Sequence, residues 1–343
     1  MPEGRGGARI LAALLLVLTI GSAFGAHAAP MTDRGAGERT ERKRAVKAGT
    51  LKLPLPGTPV TGRPLERLTA AGLARGSPLF IRVFKAESEL EVWVQNKTTY
   101  VRFATYPICY WSGMLGPKLR EGDRQTPEGF YVLNEKLLHH GGRWRRSLNL
   151  GFPNPYDRLN GRTGSLILIH GGCDSIGCFA MTDAVNADLY DLVSASLEAG
   201  AGAVPVHVFP FRMTPENRAT HPAGRWTEFW SDLQAGYDSF ERTRVPPRVS
   251  VCARRYRVED AAPSVRTPDR IEVCPADRDL LPVVDEAETA IAEAGARARP
   301  AKPAPRCNMA LPSCRRWVAL RDRRDASRHI SGRIGSGKRT RIR

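Results

Sequence analysis

One glycine-loosened loop holds a histidine, a hydroxyl and two thiols: Ile169-His170-Gly171-Gly172-Cys173-Asp174-Ser175-Ile176-Gly177-Cys178. These are the parts of a nucleophilic cysteine site. A base can draw the proton from a thiol, and glycines let bare backbone N–H groups approach a reacting carbonyl oxygen. Three chemistries fit the residues. Cys173 and Cys178 can staple the turn as a disulfide. His170, Cys173 and Cys178 can hold a metal with Asp174 or Asp183 as a fourth ligand, although the spacing matches no common zinc pattern. In the third reading Cys178 attacks a carbonyl carbon, His170 takes and returns the proton, and the N–H groups of Gly177 and Cys178 hold the oxyanion. The residues alone leave staple and catalyst level and rank the metal last.

The elements that must position this loop are mostly strands. Alternating or β-branched runs at 79–84, 90–94 and 100–106 predict antiparallel strands with short polar turns, and further strands are expected at 129–133, 165–169 and 204–209. The loop therefore leaves the end of an apolar strand. After it, Thr182 or Asp183 can cap a helix carrying Val185, Leu189, Leu192, Val193 and Leu197 on one face. Thr214 with Pro215 marks another helix start. A third helix is expected around Trp226, Phe229, Trp230, Leu233, Tyr237 and Phe240, stopped by Pro246-Pro247. Its aromatic stripe reads as packing. His139 and His140 read as loop residues, His207 as a core histidine, and His221 takes no role.

Composition sets the compartment. Arg5 and Arg9, an apolar run over 10–20 and Ala26-His27-Ala28 read as a secretory signal peptide over 1–28. The next stretch, 29–75, reads as a linker, since it is polar, then Pro- and Gly-rich, without a sustained apolar period. No later segment is apolar enough to span a membrane, so the chain is expected in an exported, periplasmic or envelope-associated setting where disulfides persist. The formal charge of +17 first suggests a nucleic-acid binder. Its distribution does not: from 296 to 343 there are fifteen Lys or Arg against Asp322 and Asp325, while 51–295 is about neutral. The basic tail is expected to be disordered and to meet anionic envelope polymers or a membrane surface; no nucleic-acid partner is expected. Between it and the globular part lies an extension over 249–295, with a short helix expected over 286–298.

Seven cysteines are an odd number, so at least one thiol stays unpaired in the monomer, and Cys178 is the candidate. Cys252 with Cys274 and Cys307 with Cys314 are natural local pairs, leaving Cys109 and Cys173 as a third; sequence alone leaves the connectivity open.

The neighbouring motifs separate the readings. Gly116-Pro117-Lys118, Gln125-Thr126-Pro127-Glu128-Gly129-Phe130-Tyr131, Gly161-Arg162-Thr163-Gly164, and His170-Gly171 through Ser175-Ile176-Gly177-Cys178 together resemble the YkuD-type L,D-transpeptidase domain. The runs after Cys178 and at Phe209 resemble its YafK-like branch. The resemblance implies an α+β catalytic domain over 76–248, mostly β with flanking helices and sandwich- or barrel-like. It implies no cofactor and no metal. It also implies a cysteine, Cys178, that forms an acyl-enzyme with a peptidoglycan stem peptide and passes the acyl group to an amine, or to water. His170 matches the family's base, and Ser175, Gly177 and Cys178 match the end of its signature. Ile176 departs from the pattern, standing where many members carry a second histidine. Arg162 and Arg212 are candidate anchors for substrate carboxylates, with Gly171 and Gly172 leaving bare backbone for the substrate. Beside His170 the thiol is expected to titrate below its ordinary value of about 8.5.

Two rival functions follow. One is a hydrolase using the same site to cut cross-links or protein-to-wall links; the other is a non-catalytic envelope-binding protein that relies on the basic tail.

Overall fold

The computed structural model describes residues 35–140, 145–262 and 268–281. The expected signal peptide, the helix over 286–298, the Cys307 and Cys314 pair and the basic tail lie outside these residues.

Twelve strands and seven α-helices are present among the described residues. The strands are β1 (Leu79–Phe84), β2 (Glu89–Asn96), β3 (Thr99–Pro107), β4 (Gly129–Leu133), β5 (Leu138–His139), β6 (Ser147–Asn149), β7 (Leu168–His170), β8 (Phe179–Ala180), β9 (Val204–Phe209), β10 (Arg248–Cys252), β11 (Arg255–Glu259) and β12 (Glu272–Val273). The helices are α1 (Gly35–Lys47), α2 (Pro64–Ala70), α3 (Pro155–Leu159), α4 (Asp183–Glu198), α5 (Pro215–Thr220), α6 (Thr227–Thr243) and α7 (Pro275–Arg278). None of the described helices is long and apolar enough to cross a membrane.

The core sheet runs β3-β2-β1-β9-β4, with β1 and β9 parallel and the other pairs antiparallel. Its outer strands, β3 and β4, do not meet, so this is an open sheet. The fold is mixed α/β with no closed barrel among the described residues, which corrects the barrel-like expectation. Strand β1 is buried along its whole length because sheet neighbours flank it on both edges and α6 aromatics cover it. Phe80 meets Phe240 at 4.7 Å and Phe84 meets Tyr237 at 6.3 Å between ring centroids. His207 sits in β9 between Phe80 and Phe130, a core histidine as read.

A second sheet, β5-β6-β7-β8, carries the loop of interest. Its closing pair is parallel, Ile169 opposite Phe179 and His170 opposite Ala180, so the chain must turn through 171–178 to re-enter beside the strand it left. Helix α4 follows at once. Thr182 caps it with its hydroxyl on the Val185 N–H, and Val185, Leu189, Leu192, Val193 and Leu197 are buried as the periodicity requires. Strand β7 starts three residues later than the apolar run suggested, because Leu166 takes a left-handed conformation, φ +52°.

The stretch read as a linker is partly helical. Basic side chains seat α1: Arg39 stacks on Trp111, Arg42 donates to the Ile108 carbonyl at 2.9 Å, and Lys43 pairs with Asp174. Such contacts leave no apolar period, which is why the helix was silent in the sequence.

The C-terminal extension forms a third sheet, β11-β10-β12, pinned by a Cys252–Cys274 disulfide. Tyr256 of β11 stacks on Tyr156 at 4.2 Å and accepts a hydrogen bond from Asn154 at 2.8 Å, so the extension completes the catalytic domain's core.

Candidate active site

The two thiols of the loop have different fates. Cys173 is bonded to Cys109, and Cys178 is the only free cysteine among the described residues. This pairing removes the Cys173–Cys178 staple and takes Cys173 out of the three-ligand metal set. The bonded sulfurs are buried against Leu55, with Val46 and Leu51 packed on them. One end of the loop is thereby fixed to the core while Cys178, at the other end, stays partly accessible.

Register places Cys178 relative to His170. With Ile169 opposite Phe179, the preceding pair is Leu168 and Cys178, and the Leu168 N–H donates to the Cys178 sulfur at 3.3 Å. Side chains alternate along a strand, so His170 shares a face with Ala180, its partner in the parallel pair. His170 is the last residue of β7 and Cys178 immediately precedes β8, so the two stand diagonal to one another, two register positions apart.

The imidazole is oriented from its own loop. His170 is buried, and its Nδ1 lies 2.6 Å from the Gly171 carbonyl oxygen. A carbonyl cannot donate, so the proton sits on Nδ1 and Nε2 carries the basic lone pair. Burial lowers the His170 pKa, and the Gly171 carbonyl, Asp174 and Asp183 oppose that shift. The ring is thus neutral near pH 7, the state a general base needs.

The thiol departs from expectation. Burial raises the Cys178 pKa, against the lowering effects of the Leu168 N–H, Ser175 and Lys118. Desolvating a thiolate costs more than these groups return, so the resting sulfur is a thiol. Lys118 is a contributor the motif reading did not single out: it is buried, held by Asp123 at 2.6 Å, and its charge favours the thiolate. Its signal was its place in Gly116-Pro117-Lys118.

Ser175 and the glycines shape the turn. The Ser175 hydroxyl donates to the Cys178 carbonyl at 2.7 Å, and Thr126 donates to the same oxygen at 3.4 Å. Gly177 has φ +131°, a conformation that side chains rarely adopt. Gly171 packs so closely on Asp183 that a Cβ there would collide with its carboxylate and Cα. Gly172, at φ +97°, faces open space.

The two arginines have structural duties. Arg162 is buried, paired with Asp157 at 2.8 Å and flanked by the Tyr156 and Phe229 rings. Arg212 binds Glu91 at 2.8 Å and Glu89 at 2.5 Å and lies over Phe84. It lines a cavity with Arg82, Trp93 and Arg244, not one shared with Cys178. Both guanidinium groups are already matched by carboxylates of the chain itself. The other histidines act locally: His139 is buried in β5, His140 meets the Tyr190 hydroxyl at 2.5 Å, and His221 stacks on Phe211.

The chain belongs to the YkuD family of L,D-transpeptidase catalytic domains, whose family model matches residues 78–231, a span that contains both His170 and Cys178. "Putative L,D-transpeptidase YafK" of Escherichia coli (strain K12) is 44% identical over 183 residues, covering 53% of this chain and 74% of that protein. The protein of the same name from Escherichia coli O157:H7 gives the same figures. Among solved structures, the helical cell shape determining protein Pgp2 of Campylobacter jejuni is similar at 20% identity and a TM-score of 0.32, over 52% of this chain and 66% of that one. Bd1075 of Bdellovibrio bacteriovorus is similar at 22% identity and a TM-score of 0.29, over 48% and 60%.

Proposed function

We propose that this protein is an exported peptidoglycan L,D-transpeptidase acting in cell-wall biogenesis or remodelling. Cys178 is its nucleophile and His170 its proton acceptor and donor. The observation that carries this reading is the division of labour between the thiols: the disulfide claims Cys173, and the free thiol is the one diagonal to His170.

The sulfur rests as a thiol, so His170 Nε2 takes its proton as the sulfur adds to the amide carbon of a stem peptide. The Gly177 and Cys178 N–H groups receive the carbonyl oxygen's charge, and Ser175 holds the turn through the Cys178 carbonyl. The leaving amine takes the proton from His170, and a thioester remains. A second amine then attacks the thioester carbon, its proton passes through His170 to the departing sulfur, and the new amide leaves.

Mass spectrometry of muropeptides incubated with the full chain, with and without an acceptor amine, tests the direction of transfer. The expected result is an exchanged or cross-linked product that needs the acceptor and is lost in Cys178→Ala. Free acid in both arms assigns hydrolysis instead, and a product formed by Cys178→Ala overturns the cysteine mechanism.

A further inference from the structure

We infer that the cavity between α6 and the core sheet is a binding site for a phosphate monoester, separate from the acyl-transfer site. Its volume is about 390 Å³, and its walls carry four arginines, Arg82, Arg102, Arg212 and Arg244, against two carboxylates, Glu91 and Glu241. None of these residues belongs to the 171–178 loop or to the strands that flank it. The inference goes beyond the acyl-transfer reading and does not depend on it.

The carboxylates of the cavity are already engaged. Glu91 is buried and accepts from the Trp93 indole N–H at 2.8 Å, from Arg212 at 2.8 Å and from Arg102 at 3.3 Å. Glu241 is shared by Arg82 and Arg244, each at 2.7 Å. Arg212 is also held by Glu89 at 2.5 Å, so in these pairs four guanidinium groups meet three carboxylates and one positive charge is left over.

The shortfall shows at Arg82. Its side chain is 1% exposed, and its guanidinium is flanked by aromatic rings, 4.7 Å from the Tyr237 centroid and 4.9 Å from those of Phe84 and Phe240. Glu241 takes Nη1, while Nε and Nη2 have no hydrogen-bond partner among the described residues. Those two nitrogens form the side edge of the guanidinium fork, which grips an oxyanion through two parallel N–H bonds. Idle donors on a buried cation are costly, and an anion on that edge removes the cost.

Charge and shape select the anion. Water can fill the donors but leaves the surplus charge, and a carboxylate spends both of its oxygens on Arg82. A phosphate monoester carries about −1.5 to −2 charge at neutral pH and three terminal oxygens, so two meet the Arg82 edge and the third meets Arg102 or Arg244. Those two side chains are 55% and 43% exposed and form the mouth of the site. Soluble phosphate esters and lipid headgroups both bear this group.

The test uses the full chain in two arms: titration calorimetry with glycerol 3-phosphate, compared with acetate, and cosedimentation with phosphatidylcholine vesicles with and without phosphatidic acid. Glycerol 3-phosphate is expected to bind saturably and about tenfold or more tighter than acetate, the size of one charge-assisted contact. Arg102→Ala combined with Arg244→Ala should remove that advantage, and lysine at both positions should restore part of it, since charge returns without the fork. Vesicle capture that needs phosphatidic acid and both arginines assigns a lipid-borne phosphate; glycerol 3-phosphate binding without such capture assigns a soluble ester. NMR of the wild-type chain needs no cavity variant: the Arg82 Nε proton should move downfield on addition of glycerol 3-phosphate. An unmoved Arg82 signal, equal binding of acetate, or phosphate binding that survives the double alanine variant overturns the assignment.

Discussion

The backbone N–H of Leu168 donates to the sulfur of Cys178 at 3.3 Å. A strand has given one of its ladder donors to the sulfur, so the position of the thiol is set by sheet register. The thiol also approaches the Leu166 carbonyl at 3.6 Å, and Leu166 is the left-handed residue that ends the apolar run before β7.

This balance sets a pH dependence. A thiol is neutral when protonated, so burial raises its pKa; an imidazole is charged when protonated, so burial lowers it. Near neutral pH the resting pair is thiol and neutral imidazole. Alkylation of Cys178 by iodoacetamide should then climb about tenfold per pH unit through neutrality, as for any thiol below its pKa. The acid limb of kcat/KM should fall below the ordinary histidine value of about 6.5. A labelling rate already level at mildly acidic pH would instead reveal a thiolate–imidazolium pair.

The Cys109–Cys173 disulfide closes a loop with a sequence separation of 64 and anchors the 171–178 loop beside α1. Chain entropy assigns such a closure about 4 kcal/mol. Replacing both cysteines by serine should lower the urea midpoint and reduce turnover while leaving Cys178 open to alkylation. An unchanged midpoint contradicts the anchoring role.

Arg162 and Asp157 form a buried pair with Tyr131, Asn154 and Tyr256 around it. Removing the guanidinium strands a carboxylate in the core. Arg162→Ala should cost about 3–5 kcal/mol of stability, measured by chemical denaturation. A substrate-anchoring arginine behaves differently: KM rises and stability holds.

Much of this arrangement was legible. Strands β1, β4 and β9 and helices α4, α5 and α6 fall where alternation, the caps Thr182 and Thr214, and Pro215 place them. Strands β5, β6 and β8 escaped because two or three residues carry no period. The partner of Arg162 was readable in principle: Asn154-Pro155-Tyr156-Asp157 is a capping box with proline at the first turn, and it delivers Asp157 to the core. The contact of Asn186 with the Arg146 carbonyl at 2.7 Å was not, since only the folded chain brings α4 against that turn across 40 positions. The upward shift of the Cys178 thiol was hidden for the same reason: a neighbouring histidine is visible in a sequence, and burial is not.

Intact-mass analysis of the full chain mixed with a stem tetrapeptide, in the absence of acceptor amine, tests the central claim most directly. The account predicts an adduct of the tripeptide acyl group, mapped to Cys178, cleaved by hydroxylamine as thioesters are, and missing in Cys178→Ala. An adduct on any other residue, or an unmodified Cys178 in protein that is turning over, contradicts it.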